Sequence, residues 1–330
     1  MVPHHGDFLL TARIYIGNAD GDREDSLRTA FDYIGVHSEI GRSTKVFVKP
    51  NFTFPRPVPG VTTSREVLQD TLRLLAETGA EVFVGESNGG YGSFIAKEAF
   101  EGHGLYEICR LTRTEPIDLS ALDKERYFDT IGGKRVSVCL PKFLVDEVDF
   151  TLSVPVMKVH AMTTVSLSMK NLWGCYPTDL RLLEHEEIER KLALIHRLVK
   201  ARFGIIDASY ALDRHGPMQG DARAIGKFIA GNNLLALDIA CTRMMGFNPR
   251  RVRHLNNLVR FTSSSATDLT VESNEDLGSY DWGFTLYRDL IDGLSLACFH
   301  SDLLAKIVFD SPLTQPIYAM VGRKPRRRLA

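Results

Sequence analysis

No two cysteines of this 330-residue sequence are close enough to form a local cassette: Cys109, Cys139, Cys175, Cys241 and Cys298 are odd in number and at least about thirty residues apart. The pattern encodes neither a disulfide framework nor a contiguous zinc or iron-sulfur motif, and reduced, mostly buried thiols are expected. Long apolar runs are also missing, since none approaches the roughly 18 residues of a membrane span. Met1 to Asp7 holds His4 and His5 but no Lys or Arg ahead of Phe8-Leu9-Leu10, so the layout of a secretory signal is absent and a soluble, cytoplasmic chain is expected. Positive charge is scarce in the body: Lys plus Arg number 40 against 41 acidic residues, and Arg323, Lys324, Arg326, Arg327 and Arg328 supply five of the 40. An acidic body with a short basic tail does not suit a nucleic-acid reader, and the tail is expected to be solvated.

Nucleotide and hydrolase signatures are absent too. There is no Gx4GK[ST] loop, no GxGxxG turn, no HExxH pair and no GxSxG elbow. What remains is a 44% hydrophobic composition, which excludes disorder, and an alternation of short β-branched runs with helical patterns. Strands are expected at Arg13 to Ile16, Lys45 to Lys49, Glu81 to Gly85, Asp149 to Pro155 running on to His160, Phe203 to Ile206 and Ile225 to Ala230. Helices are expected at Glu24 to Ile34, Ser64 to Thr78 closed by Gly79, Glu184 to Ala201 and Asn233 to Met245. Gly132-Gly133 marks a tight hairpin within Tyr127 to Leu140. Glu272 to Tyr280 reads as a polar loop and Trp282 to Leu304 as an apolar helix. The fold class is α/β: a mainly parallel, Rossmann-like open sheet with helices on both faces and a β-hairpin insertion. Residues 12–247 form the core and 248–330 a C-terminal helical extension with a basic tail.

Four groups of polar residues fall where an open α/β sheet holds its ligands, in the crevice beyond the strand C-termini. Lys49-Pro50-Asn51, with the hydroxyl of Thr63 at a helix start, suits a carboxylate or phosphate. Glu86-Ser87 with Gly89 and Gly90 offers a carboxylate and a turn that lets backbone approach a ligand. Lys158 and His160, two apart in an extended segment, share one side and suit an acid and base pair, because mutual repulsion lowers both pKa values. Lys170 and Asn171 follow within the same apolar stretch. Asp207 is expected at a strand end, ahead of the Gly216 to Gly220 loop. Asp238, in an apolar helix, reads as a buried partner of a nearby cation, and His185 as exposed.

In this order the segments resemble the family called domain of unknown function 362. They are Val46 to Asn51 with its KPN, Thr63 to Gly79, Val82 to Ser87, Val154-Pro155 with Lys158 and His160, Leu167 to Gly174, Ile205 to Asp207, Gly216-Pro217 with Gly220, Ala230-Gly231, and Ala236 to Asp238. The resemblance spans Ala12 to Met245 and implies a shared fold and site rather than a reaction. Many relatives carry a ferredoxin-like iron-sulfur module with clustered cysteines, which this sequence lacks. A looser similarity to the lactate racemase family does not extend to its nickel pincer cofactor.

The residues thus point to an enzyme acting on a small anionic metabolite, a carboxylate or a phosphate or diphosphate ester, by lyase, isomerase or cyclase chemistry. Lys158, His160, Glu86 and Asp207 would be catalytic, and Lys49, Asn51, Thr63, Ser87, Gly89, Gly90, Lys170 and Asn171 would bind substrate. No metal ligand set is visible, and the cofactor is left open between none and a divalent cation. Two rivals are an iron-sulfur or redox accessory protein and a non-catalytic small-ligand binding module. Oligomeric state is left open.

Overall fold

In the computed structural model, residues 11–90, 93–178, 181–262 and 270–288 are described, together with 292, 293, 296, 301–309 and 311–313. His4, His5, Cys298 and the basic tail lie outside the described residues. The strands are β1 (Ala12–Asn18), β2 (Lys45–Pro50), β3 (Glu81–Glu86), β4 (Glu115–Asp118), β5 (Lys124–Ile131), β6 (Lys134–Pro141), β7 (Phe150–Val154), β8 (Val156–His160), β9 (Thr164–Ser166), β10 (Ala201–Asp213), β11 (Asp221–Gly231) and β12 (Val271–Ser273). The α-helices are α1 (Arg23–Ile34), α2 (Val36–Glu39), α3 (Arg65–Glu77), α4 (Ala96–Gly102), α5 (Leu105–Thr112), α6 (Lys142–Asp146), α7 (Ser168–Asn171), α8 (Ile188–Leu198), α9 (Leu234–Met244), α10 (Arg253–Thr262) and α11 (Asp302–Phe309).

A ten-stranded mixed sheet runs β12-β1-β11-β10-β7-β2-β3-β4, with β8 attached to β10 and β9 to β8. The run β10-β7-β2-β3-β4 is parallel throughout, as is β1 with β12, while β11 is antiparallel to both its neighbours. The sheet has helices on both faces because its strands alternate. Val46 and Val48 join the layer formed with α1, α3, α4 and α5, whereas Phe47 joins the opposite layer with α8 and the hairpin. A third cluster carries the sheet face under α9, through Ile206, Ile229 and Leu237. The expected hairpin is the separate pair β5-β6, and both of its turn glycines have positive φ.

Helix α3 buries Val67, Leu68, Thr71, Leu72, Leu74 and Leu75 and is followed by Gly79, whose φ of 83° favours a residue without Cβ. Other expectations are corrected. The segment from Asp149 to His160 is broken at Pro155, which has no N–H to continue the ladder, and β8 re-pairs with β10 and β9. The charged helix begins at Ile188, after a 3-10 stretch Arg181–Glu187, and ends at Leu198. Ala201 must already pair with Thr151, so the chain turns sharply at Lys200, which has φ 50°. Strands β10 and β11 run longer than expected, as a twisted ribbon bulged between Ala208 and Tyr210.

Within Glu272 to Tyr280, Val271–Ser273 is a strand covering the edge of β1, and Leu277–Ser279 is a 3-10 turn. Within Trp282 to Leu304, the described residues 292, 293, 296 and 302–304 are helical, whereas residues 282–288 are irregular. Their backbone bonds go to other elements: Trp282 N–H donates to Met244 O (2.8 Å), Phe284 to Met245 O (2.8 Å) and Tyr287 to Arg214 O (2.7 Å). Tertiary partners replace the helical ones. Helix α10 returns to the core through Leu255 and Leu258, while Arg253 pairs with Glu189 (3.2 Å) and Arg190 lies over Phe261.

Candidate functional site

Strand order reverses between β2 and β7: β3 and β4 lie to one side of this pair and β10 to the other. Such a switch point opens a crevice beyond the strand ends. Here Lys49 is opposite Ser153, and Pro50 opposite Val154. Side chains bridge the two strand ends. Thr63 Oγ1 donates to Val154 O (2.7 Å) and accepts from Asn51 N–H (2.8 Å), while Asn171 Nδ2 donates to Lys49 O (2.8 Å) and Ser153 Oγ (3.1 Å). Two residues expected to bind substrate thus also join the two strand ends.

Lys49 is 1% exposed and pairs with Glu86, the last residue of β3, while also donating to Pro50 O (2.6 Å). Glu86 accepts further from Phe52 N–H (3.3 Å) and Ser87 N–H (3.0 Å). Gly174 lies flat against this pair. A Cβ there would stand 2.6 Å from Lys49 Cε and 2.8 Å from Glu86 Oε1. Gly174→Ala is expected to cost about 1–3 kcal/mol through overpacking, read by urea denaturation. A native-like midpoint would show that the pair yields easily.

Lys158 and His160 are brought together as expected, both buried at the end of β8. Lys158 Nζ donates to Val61 O (3.0 Å) and to Thr53 Oγ1 (3.4 Å), and Thr53 in turn donates to Asn51 Oδ1. Burial, with Lys170 nearby, brings the Lys158 ammonium down to about 7 against the opposing pull of Glu86. Lys170 falls to about 8, first by burial and then by Arg181. The Lys170 ammonium has no hydrogen-bond partner among the described residues. His160 Nδ1 accepts from Met162 N–H (3.1 Å), which leaves the ring proton on Nε2. Burial and the cations Lys170 and Lys158 hold its imidazole neutral.

Asp238, fully buried on α9, positions Lys170. Its carboxylate accepts from Ser168 N–H (2.8 Å), Met169 N–H (2.9 Å) and the Ser168 hydroxyl, pinning the start of the single turn α7. Its partners are thus N–H and O–H groups, not the expected cation. Asp207 is also corrected: it lies within β10, and its oxygens accept from Ser64 N–H (2.7 Å) at the start of α3 and from Ser209 N–H (2.9 Å). It is not among the charges that shift Lys158, His160 or Lys170.

Ser87 donates to Gly174 O (2.8 Å) and accepts from Arg181 (2.7 Å), whose other nitrogen donates to Asn88 O (2.7 Å). Gly89 is needed for packing: a Cβ there would meet the Phe94 ring at 2.4 Å. Gly90 has open space around it, and the next two residues lie outside the description. His185 is buried, not exposed, with Nδ1 2.9 Å from Arg181 O and its ring edge-on to Trp173. Sequence reasoning missed Arg181 and Gly174.

Among the described residues no group of three or more His, Cys, Asp or Glu side chains could hold a metal ion. Cys109, Cys175 and Cys241 belong to three different hydrophobic clusters. Nor is any described helix long and apolar enough to cross a membrane.

Comparison with solved structures gives the lactate racemase apoprotein from Thermoanaerobacterium thermosaccharolyticum (12% identity, TM-score 0.45) and a protein from Thermotoga maritima (13%, 0.38). This chain is covered over 71% and 68% respectively, and spans 57% and 59% of theirs. In sequence the chain is 26% identical over 236 residues to the thylakoid-associated protein sll1697 of Synechocystis sp. (strain ATCC 27184 / PCC 6803 / Kazusa), covering 69% of this chain and 71% of that protein. The family described as Domain of unknown function (DUF362) matches residues 46–243, a span that holds the switch-point strands, the Lys49–Glu86 pair and the Lys158, His160 and Lys170 cluster, and this chain belongs to that family.

Proposed function

We propose that this protein is an enzyme that binds a small anionic metabolite, a carboxylate or phosphate ester, in the switch-point crevice and moves a proton on it. The observation that carries the reading is the burial of Lys158, Lys170 and His160 within electrostatic reach of one another, which lowers the two ammonium groups to about 7 and about 8 and keeps the imidazole neutral. The nearby carboxylate, Glu86, is already paired with Lys49. Apart from Glu86, no carboxylate is among the described groups that shift Lys158 or Lys170, and buried cations of this kind favour a bound counter-charge. A lysine near neutrality exchanges a proton readily, as general acid in the ammonium form that a bound anion favours and as general base in the amine form, and a neutral imidazole with Nε2–H donates to oxygen as the charge shifts. Lyase, isomerase and cyclase reactions all use such a transfer. Buried, unpaired thiols fit a reducing compartment such as the cytoplasm.

A bound anion favours the ammonium forms of both lysines. Binding at pH 8 is therefore expected to take up about one proton, and affinity to fall as pH rises from 7 towards 10. Calorimetric titration with inorganic phosphate in buffers of different ionisation enthalpy measures the uptake; none would place the anion away from the lysines. The enzyme reading itself is tested by identifying the compound that co-purifies and incubating it with native protein, Lys158→Met and Lys170→Met. Loss of the compound from both variants, with conversion by native protein alone, is the expected result. Binding without conversion would make the protein a ligand carrier, and retention by both variants would remove the crevice from consideration.

A further inference from the structure

Residues 282–288 lie outside the family-matched span 46–243 and form an irregular strap across the ends of α9 and β10. Besides the bonds of Trp282 and Phe284 to Met244 and Met245, Thr285 O accepts from Arg214 N–H (3.0 Å) and Thr285 N–H donates to Asp213 Oδ1 (2.8 Å). The strap thereby carries its last residue, Arg288, onto the turn that follows His160. Arg288 Nε donates to Ala161 O (2.6 Å), and its Nη2 stands 3.5 Å from Thr164 Oγ1. Gly216 holds the same turn: its carbonyl accepts from Ala161 N–H (3.1 Å), and its backbone comes so near that a Cβ would stand 1.9 Å from Val159 O.

The turn needs such support. Thr164 pairs with His160 across it and has φ 66°, a left-handed conformation that is strained for a β-branched residue and persists where the surroundings impose it. The oxygen held by Arg288 also belongs to one particular peptide. Ala161 C=O and Met162 N–H are two ends of a single planar unit, and Met162 N–H donates to His160 Nδ1 (3.1 Å). A guanidinium that fixes the oxygen fixes the direction of the N–H as well. By drawing charge onto the oxygen it also makes that N–H a stronger donor.

We infer that Arg288 is a positioning residue of the candidate site: it locks the Ala161–Met162 peptide, and through that peptide it keeps the His160 ring in place with its proton on Nε2. Without the lock the peptide turns, Nδ1 loses its donor, and the ring proton is shared between the two nitrogens. Arginine suits the task because it stays charged at every working pH and, being exposed here, gives up little solvation to make the bond. What His160 then does rests on the proton-transfer reading above, whereas the lock itself does not.

The test follows His160 in the full chain without ligand, by nitrogen NMR of the ring and hydrogen exchange of the Met162 amide. Native protein is expected to show one tautomer, protonated on Nε2, and a protected Met162 amide. Arg288→Met should bring in the Nδ1–H tautomer and speed Met162 exchange about tenfold, the contribution of one hydrogen bond to a charged group. Arg288→Lys, which keeps a cation able to donate to Ala161 O, should recover most of the protection. Arg202→Met removes comparable bonds, to Glu39, at the start of β10, and should change neither readout, which separates the lock from a general loss of stability. A tautomer mixture already present in native protein would overturn the inference, and that measurement stands even if the Met variant fails to fold. A ring and a Met162 rate unchanged in Arg288→Met would overturn it too, as would the same changes in Arg202→Met. Inorganic phosphate affinity, set by the lysines, should stay within about twofold in Arg288→Met. If phosphate fails to bind native protein, the anion reading falls while the tautomer result still decides the lock.

Discussion

Replacing Lys49 by Met is expected to destabilise the protein by about 3–5 kcal/mol, because it strands the buried Glu86 carboxylate without its cation. The size of the effect comes from the burial of both partners rather than from the attraction between them. A methionine fills most of the lysine's space, so the loss is electrostatic and not a cavity. It follows that Lys49→Met combined with Glu86→Gln should recover much of the loss, since the neutral amide can still accept from Phe52 N–H and Ser87 N–H. Urea denaturation of the two single variants and the double variant measures this directly. Additive losses would mean that the two residues do not form a coupled pair.

Asp238→Ala is expected to cost a similar amount, about 3–5 kcal/mol, by leaving two backbone N–H groups and a buried hydroxyl without an acceptor. Lys170 stands two residues into the turn so released, and phosphate affinity should fall with stability. The Asn variant separates charge from shape. Burial, opposed by the Ser168 and Met169 hydrogen bonds, pushes the Asp238 carboxyl up to about 7. The folded state thus favours the protonated acid. Its contribution is full below the unfolded value near 4 and is lost as pH rises through about 7. Asp238→Asn carries no such dependence, so the gap between native protein and this variant should narrow from pH 5 to pH 8. A gap that widens over that range would show that the hydrogen bonds, and not burial, govern the carboxyl.

The parts of this site that could be read from the sequence are those set by strand ends. Lys49 follows three β-branched or aromatic residues and Glu86 closes an apolar run, so each side chain's place at the crevice followed from where its strand stops. Lys158 and His160 obeyed the two-residue alternation of extended chain, and both are buried at one strand end. The failures have physical causes too. A periodicity of 3.6 places His185 on the wrong face because Arg181–Glu187 winds with three residues per turn. The apolar run stops near Asp207 and so suggests a strand terminus, whereas β10 continues as a ribbon held by its partner β11. Arg181 reaches Ser87 and Asn88 from 94 and 93 positions away, and no local spacing encodes such convergence. Trp282 to Arg288 is apolar enough for a helix, but Met244, Met245 and Arg214 offer its backbone better-placed partners.

Thr63 and Asn171 join the ends of β2 and β7 with protein hydrogen bonds, so the crevice has its shape before anything enters it. A pocket ordered during folding gives up little freedom when it is filled, and less of the interaction energy goes into organising loops. That energy is then available to hold a reacting bond in the alignment from which a proton moves.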